Sequence, residues 1–279
     1  MANRTSLKKL LQKDGIVVAP GCHDALGAKI IESAGFDMVY MTGNGVTAST
    51  LAKPDIGLLT MSEMVARAKG IFSAVNIPIL ADADTGYGNR NNVIRTVQEY
   101  ESAGVSAIHL EDQVTPKICA AMDGIQLVSI EEQVDKIKAA AAARSSDNFL
   151  IVGRTDARPS KGLTEAIERG KAYAEAGADI IILEMLQSED ELKEVAKKID
   201  APLMTSVVEH SKTHTLTVRQ LENIGYKIVI FPLSSTFLYA RTTMELMKSL
   251  KETGTTESYR EKMMKIHDYE QFLGIDQYR

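Results

Sequence analysis

Two cysteines, Cys22 and Cys119, are too few for a disulfide framework and too few for a zinc quartet, so either one matters only as a thiol. The chain also lacks a basic excess. Its net charge is -5 and no block of Lys and Arg occurs, which excludes the field that draws nucleic acid to a protein surface. No apolar run approaches the ~20 residues that cross a bilayer, and the first residues have no apolar core of a secretory signal. A cytoplasmic protein is expected, with neither membrane nor nucleic acid as partner. The five histidines, at 23, 109, 210, 214 and 267, show no metal-ligand spacing, and His109, inside an apolar run, is expected to be a core residue. No linker or low-complexity stretch interrupts the 279 residues, so a single domain over 1–279 is expected.

What the sequence does contain is alternation. Apolar runs of strand length at 15–21, 38–41, 78–82, 107–110, 149–153, 179–183, 202–205 and 227–231 are separated by segments of helical character. Helices are expected near 5–13, 24–35, 61–75, 91–103, 129–144, 163–176 and 188–199, with two more after the last strand. A helix end recurs as Glu-Ser-Ala-Gly35, Glu-Ser-Ala-Gly104, Glu-Ala-Gly177 and Asn-Ile-Gly225. Each Gly is expected in the left-handed conformation that closes a helix before a strand. Eight apolar strands alternating with helices describe a parallel sheet buried on both faces. A closed (β/α)8 TIM-type barrel is the economical arrangement, and an open doubly wound sheet is the alternative.

The stretch Pro78-Ile-Leu-Ala-Asp82-Ala-Asp84-Thr-Gly86-Tyr-Gly88-Asn89 ends an apolar run in two aspartates at alternate positions, then turns on two glycines. Alternate strand residues share a face, so Asp82 and Asp84 are expected to point the same way and to repel unless a cation or a proton lies between them. Mg2+ is the simplest resident, with Mn2+ as the substitute, because hard ions prefer oxygen ligands. The other strand ends supply Thr42, Gly43 and Asn44, then Glu111 and Asp112, Arg154 and Asp156, Glu184, and Ser206 with Glu209. Active sites of barrels lie at this end. An acidic cluster with one arginine implies a metal held by acids and a small anionic substrate, whose carboxylate Arg154 is expected to clamp in bidentate fashion. The segment Thr115-Pro-Lys117-Ile-Cys119-Ala-Ala-Met-Asp-Gly124 is too long for a tight connection and is expected to act as a lid. Lys117, two residues before Cys119, is expected to lower the thiol pKa and make it a proton donor or acceptor. Cys22 beside His23 is not expected to form a dyad, since neighbours on a strand face opposite ways.

Asp82-Ala-Asp-Thr-Gly-Tyr-Gly88, Glu111-Asp-Gln113, Lys117-Ile-Cys119 and Gly153-Arg-Thr-Asp156 together resemble the isocitrate lyase and phosphoenolpyruvate mutase superfamily, most nearly its short, methylisocitrate lyase-like members. The resemblance runs from about residue 5 to about 273. It implies a Mg2+-dependent barrel that cleaves a carbon–carbon bond in a 2-hydroxy di- or tricarboxylate by a retro-aldol step. Asp82, Asp84 and Glu111 would serve the metal, Glu111 through water. The 42–44 loop would hold the α-keto acid portion through backbone amides, with Asp55 ordering the metal's waters on the substrate side. Arg154 and Glu184 would orient substrate, and Cys119, with Lys117 on the same lid, would protonate the carbanion.

The lid departs from the pattern. Lyases of this family usually read Lys-Arg/Lys-Cys-Gly-His, whereas here the order is Lys117-Ile118-Cys119-Ala120-Ala121, and Ser206 stands at a substrate-binding position where an Asn is usual. The mutase branch reads Pro-Lys-x-Asn-Ser, which Pro116-Lys117 begins and Cys119 breaks. Arg154-Thr-Asp-Ala157 and Glu184 look lyase-like. A lyase acting on a 2-methylisocitrate-like or 2,3-dimethylmalate-like acid is therefore expected. Oxaloacetate-type decarboxylation or hydrolysis, phosphonopyruvate chemistry and a non-catalytic barrel are the alternatives. An amphipathic helix at about 256–273 has no obvious place on a barrel. Relatives exchange such helices between subunits, so a homotetramer is expected, packing on its own barrel being the alternative.

Overall fold

In the computed structural model, which describes residues 6–279, the alternation becomes a closed barrel. The order begins α1 (Leu7–Leu11), β1 (Val17–Cys22), α2 (Ala25–Ser33), β2 (Val39–Met41), α3 (Gly43–Leu51), α4 (Met61–Ala74) and β3 (Ile79–Asp82). It continues α5 (Arg90–Ser102), β4 (Ala107–Glu111), α6 (Ile130–Ala143), β5 (Leu150–Thr155), α7 (Ala157–Lys161), α8 (Leu163–Glu175) and β6 (Ile180–Leu183). Then come α9 (Glu189–Lys198), β7 (Leu203–Ser206), α10 (Val218–Ile224), β8 (Ile228–Phe231), α11 (Ser234–Thr253) and α12 (Ile266–Leu273). Residue 5, where the first helix is expected to start, lies outside the described residues.

All neighbouring strands pair in parallel, and β1 pairs with β8 from Val17↔Ile228 to Pro20↔Phe231, which closes the ring and rules out the open sheet. Gly35, Gly104, Gly177 and Gly225 all have positive φ, between 87° and 110°, as expected for helix-closing glycines. Two apolar layers lie between sheet and helices, and a third fills the barrel itself. The inner layer contains Met38 and Tyr40, Leu80, Ala107, Leu150 and Val152, Ile180 and Ile182, Met204, Ile228 and Ile230, with Leu7 and Leu10 of α1 among them.

Strand parity now fixes what faces inward at the other end. Two residues beyond the inner apolar positions come Thr42, Asp82, His109, Arg154, Glu184 and Ser206, with Glu111 two further along β4, all buried. The apolar floor and the polar mouth are thus one period-2 pattern that changes character along each strand.

The chain divides into two compact units, Met1–Thr236 and Phe237–Arg279. In the second, the expected single helix at 256–273 is broken: a 3-10 turn over Glu257–Lys262 gives way to extended backbone at Met263 before α12 begins. Among the described residues no helix is long and apolar enough to cross a membrane.

Candidate active site

Asp82 is the last residue of β3, and its carboxylate accepts from Gly43 N (3.2 Å) and Asp84 N (2.9 Å). Asp84 is not on the strand. It has φ +47°, so strand alternation is not what orients it; a left-handed turn folds it back, and Glu111 N donates to its carbonyl at 2.9 Å. Lys117 reaches both this carboxylate, at 3.0 Å, and Asp55 in the α3–α4 connection, at 2.7 Å, and is itself buried.

The electrostatics separate the two aspartates. Burial opposes charge on Asp82, but attraction to His109, Lys117 and Arg154 outweighs it and holds this carboxyl below the usual range. Burial, aided by Asp82 and Asp55, pushes Asp84 up to about 6 despite Lys117. His109 donates or accepts at Tyr40 OH (2.7 Å) and lies 3.6 Å from Asp82. Burial lowers it to about 4, so the imidazole is neutral at pH 7 and Lys117 and Arg154 are the standing cations beside Asp82. His109 is a core residue as expected, although its Nδ1 has no hydrogen-bond partner.

Arg154, on β5, sends Nε and Nη2 to Asp156 at 3.0 and 3.1 Å, while Nη1 stands 3.2 Å from Glu111 Oε2. The fork expected for a substrate carboxylate is therefore taken by Asp156, leaving Nη1 toward the acids. Glu184 accepts from Ser206 Oγ at 2.7 Å, and burial raises its carboxyl against the pull of Arg154. Asp112 leaves this cluster: one residue out of phase with Glu111, it faces the helices and accepts from Thr155, Arg169 and Tyr173. Glu209 accepts from Ser234 Oγ.

Neither oxygen of buried Glu111 accepts a hydrogen bond, and burial drives its carboxyl well above the ordinary value. Among the described residues no three His, Cys, Asp or Glu side chains converge closely enough to ligate one ion directly. The donors are oxygens only, one pair unsatisfied, around Asp82 and Asp84. That chemistry fits a hard divalent cation which keeps part of its water shell.

The segment expected to hold an α-keto acid as a loop is the start of α3. Thr42 caps it by accepting from Gly45 N at 3.3 Å and Asp82 takes Gly43 N, so the site faces the positive end of a helix whose first-turn amides are partly engaged, where a carboxylate is favoured. Asn44 Nδ2 donates to Cys119 Sγ at 3.8 Å. The lid thus lies over the strand ends, with Cys119 N also bonded to Asp55 O at 2.9 Å. Its thiol pKa is raised, not lowered: burial dominates, and Lys117 is too fully engaged by carboxylates to offset it. Cys22, also buried and raised, lies in the apolar layer, with its carbonyl accepting from Thr42 N at 3.1 Å. A cavity of about 360 Å³ reaches Asp84 and Lys117 between Thr60, Tyr87, Arg95 and Pro116.

Sequence reasoning placed Asp82, Asp84, Glu111, Arg154, Glu184, Ser206, Lys117 and Cys119 together, as the structure does. It passed over Tyr40, Gln113 and the grip of Asp156 on Arg154. Parity locates Tyr40, two residues before Thr42; Gln113 acts through contacts 5 and 43 residues away that no local pattern carries.

Comparison with known proteins bears on the chain as a whole. The chain is 47% identical over 279 residues, covering 100% of itself and 96% of the relative, to 2,3-dimethylmalate lyase of Eubacterium barkeri. It is 42% identical to 2-methylisocitrate lyase of Aeropyrum pernix, covering 98% and 87%. A solved phosphonopyruvate hydrolase in complex with oxalate and Mg2+ superposes with TM-score 0.88 at 32% identity, covering 98% and 95%. The model of phosphoenolpyruvate phosphomutase matches residues 7–251, which agrees with the motif resemblance and with the barrel, and the chain belongs to that family.

Proposed function

We propose that the protein is a Mg2+-dependent carbon–carbon lyase that cleaves a 2-hydroxy di- or tricarboxylate of the 2,3-dimethylmalate or 2-methylisocitrate type into an α-keto acid and a carboxylate. The observation that carries this reading is the Cys119 thiol held over a mouth of carboxylates and one arginine. When bound, Mg2+ supplies Lewis-acid polarisation of the hydroxyl and keto oxygens, held by Asp82 and Asp84 with Glu111 through water. Mn2+ suits the same oxygens.

The chain's own residues do the rest. The positive N-terminal end of α3 attracts the carboxylate of the keto-acid half. Arg154 Nη1, fixed by the grip of Asp156, presents positive charge to the substrate's oxygens. Glu184, more basic than usual and oriented by Ser206, accepts the hydrogen of the reacting hydroxyl. Asp55 and Lys117 neutralise one another at the edge of the acid cluster and tie the lid to it. Cleavage leaves a carbanion next to a carboxylate, and Cys119 delivers its proton there; a raised thiol pKa keeps that proton in place at neutral pH.

Purified protein with Mg2+ should convert 2,3-dimethylmalate or 2-methylisocitrate, with products identified by mass spectrometry. Turnover of only oxaloacetate or only phosphonopyruvate in the same panel would overturn the lyase reading.

A further inference from the structure

Gln113 is the second residue after β4, 1% exposed, at the root of the lid. Its carboxamide is fully used. Oε1 accepts from Ile118 N at 3.0 Å, and Nε2 donates to Ile118 O at 2.8 Å and to Asp156 Oδ2 at 2.6 Å. Ile118 N only donates and Asp156 carboxylate only accepts, so one orientation of the amide satisfies all three partners. Asp156 Oδ2 also accepts from Arg154 Nη2. Asp156 itself is fixed from behind, its backbone N donating to Asp112 Oδ1 at 2.9 Å.

We propose that Gln113 is the positioning residue of the lid: anchored on Asp156, it clamps both backbone groups of Ile118 and so holds Cys119, one residue on, over the strand ends. The clamp and the pose of Arg154 share one carboxylate oxygen. Closing the lid therefore completes the surroundings of the arginine, and releasing Ile118 loosens both. Neither Glu nor Leu substitutes. Glu has the length but no amide hydrogens and places a second charge against Asp156; Leu has the bulk and no hydrogen bonds. Ties elsewhere on the lid, such as Thr115 Oγ1 to Thr85 Oγ1 at 2.6 Å, lie before Lys117, so residues 118–119 are held by this clamp, by Asp55 O on Cys119 N and by the longer contact of Asn44 Nδ2 with Cys119 Sγ.

The clamp is tested without turnover, by the rate at which iodoacetamide alkylates Cys119, followed by peptide mass spectrometry with buried Cys22 as the internal control. Gln113→Leu and Gln113→Glu should each speed alkylation of Cys119 about tenfold or more, since Leu loses all three bonds and Glu loses the two that Nε2 donates while setting a second charge against Asp156, and Cys22 should stay unreactive. Any turnover should fall in kcat more than it rises in KM. A Cys119 rate within twofold of the unaltered protein, in either folded variant, would overturn the proposal. If neither variant folds, hydrogen exchange of the unaltered protein decides: Ile118 and Cys119 amides should open as one unit, and separate rates would refute it. This inference stands on the lid geometry, so absence of lyase activity with a tenfold alkylation change would remove the proposed function and leave the clamp intact.

Discussion

At the scale of single residues, the site works by setting charge states apart. Asp82 is held ionised, Asp84 is lifted to about 6, and Cys119 keeps its proton. A positioned acid contributes about 10²–10⁴-fold to a rate, so Cys119→Ala should lower kcat by that order while leaving Mg2+ binding and the unfolding midpoint unchanged. Full activity in steady-state assays of the variant would take the thiol out of the mechanism. His214 gives an independent pH signature. Its Nε2 pairs with Thr205 Oγ1 at 3.0 Å and its Nδ1 accepts from Leu216 N at 3.4 Å, an arrangement that needs the neutral ring. Burial lowers its pKa from 6.5 to about 4. Between those values the unfolded chain binds a proton that the folded chain does not, so stability falls as pH drops through the window. His214→Gln should flatten the dependence of the urea midpoint on pH between 6.5 and 4; an unchanged slope would show that the ring does not titrate there.

Individual acids were legible because strand ends are. Partnerships were not: nothing in Lys117-Ile-Cys119 says that Asp55 and Asp84 absorb the ammonium and leave the thiol to be governed by burial. The sign of a pKa shift is a competition between burial and neighbours, and the neighbours come from three different connections.

At the scale of elements, α3 is the instructive case. Its sequence, Gly-Asn-Gly-Val-Thr-Ala-Ser-Thr-Leu, mixes glycines with β-branched residues and has poor helix propensity, so its start looks like a loop. It is a helix here with the local Thr42 cap at its start and one long-range bond, Gly43 N on Asp82 at 3.2 Å, fixing that end against β3. In an ordinary helix Gly→Ala stabilises by up to about 1 kcal/mol. Here a Cβ on Gly43 would overlap the Asp82 carboxylate. Gly43→Ala should therefore displace that carboxylate and weaken Mg2+ binding about 10–100-fold, the usual cost of disturbing a ligand's surroundings, as read by isothermal titration. Equal affinity would mean that Asp82 does not serve the metal. The strands and longer helices, by contrast, fall within a residue or two of expectation, because period-2 and apolar continuity are local signals.

At the scale of the whole molecule, strand number was legible but closure was not, since only the β1–β8 register distinguishes a barrel from an open sheet. The same limit applies to assembly. In the unit Phe237–Arg279 no helical residue is buried, and Leu238, Met244 and Ile266 are 64%, 71% and 73% exposed. Ile266, Tyr269 and Leu273 recur at helical spacing on one face of α12. Apolar surface of that extent marks an interaction site, and on that ground we propose that this segment is exchanged within a homotetramer, the assembly expected from the sequence. The unaltered chain should sediment as a tetramer, and Met264→Glu with Ile266→Glu should shift it to smaller species while the far-ultraviolet circular dichroism of the barrel is retained. A monomer from the unaltered chain would remove the exchange.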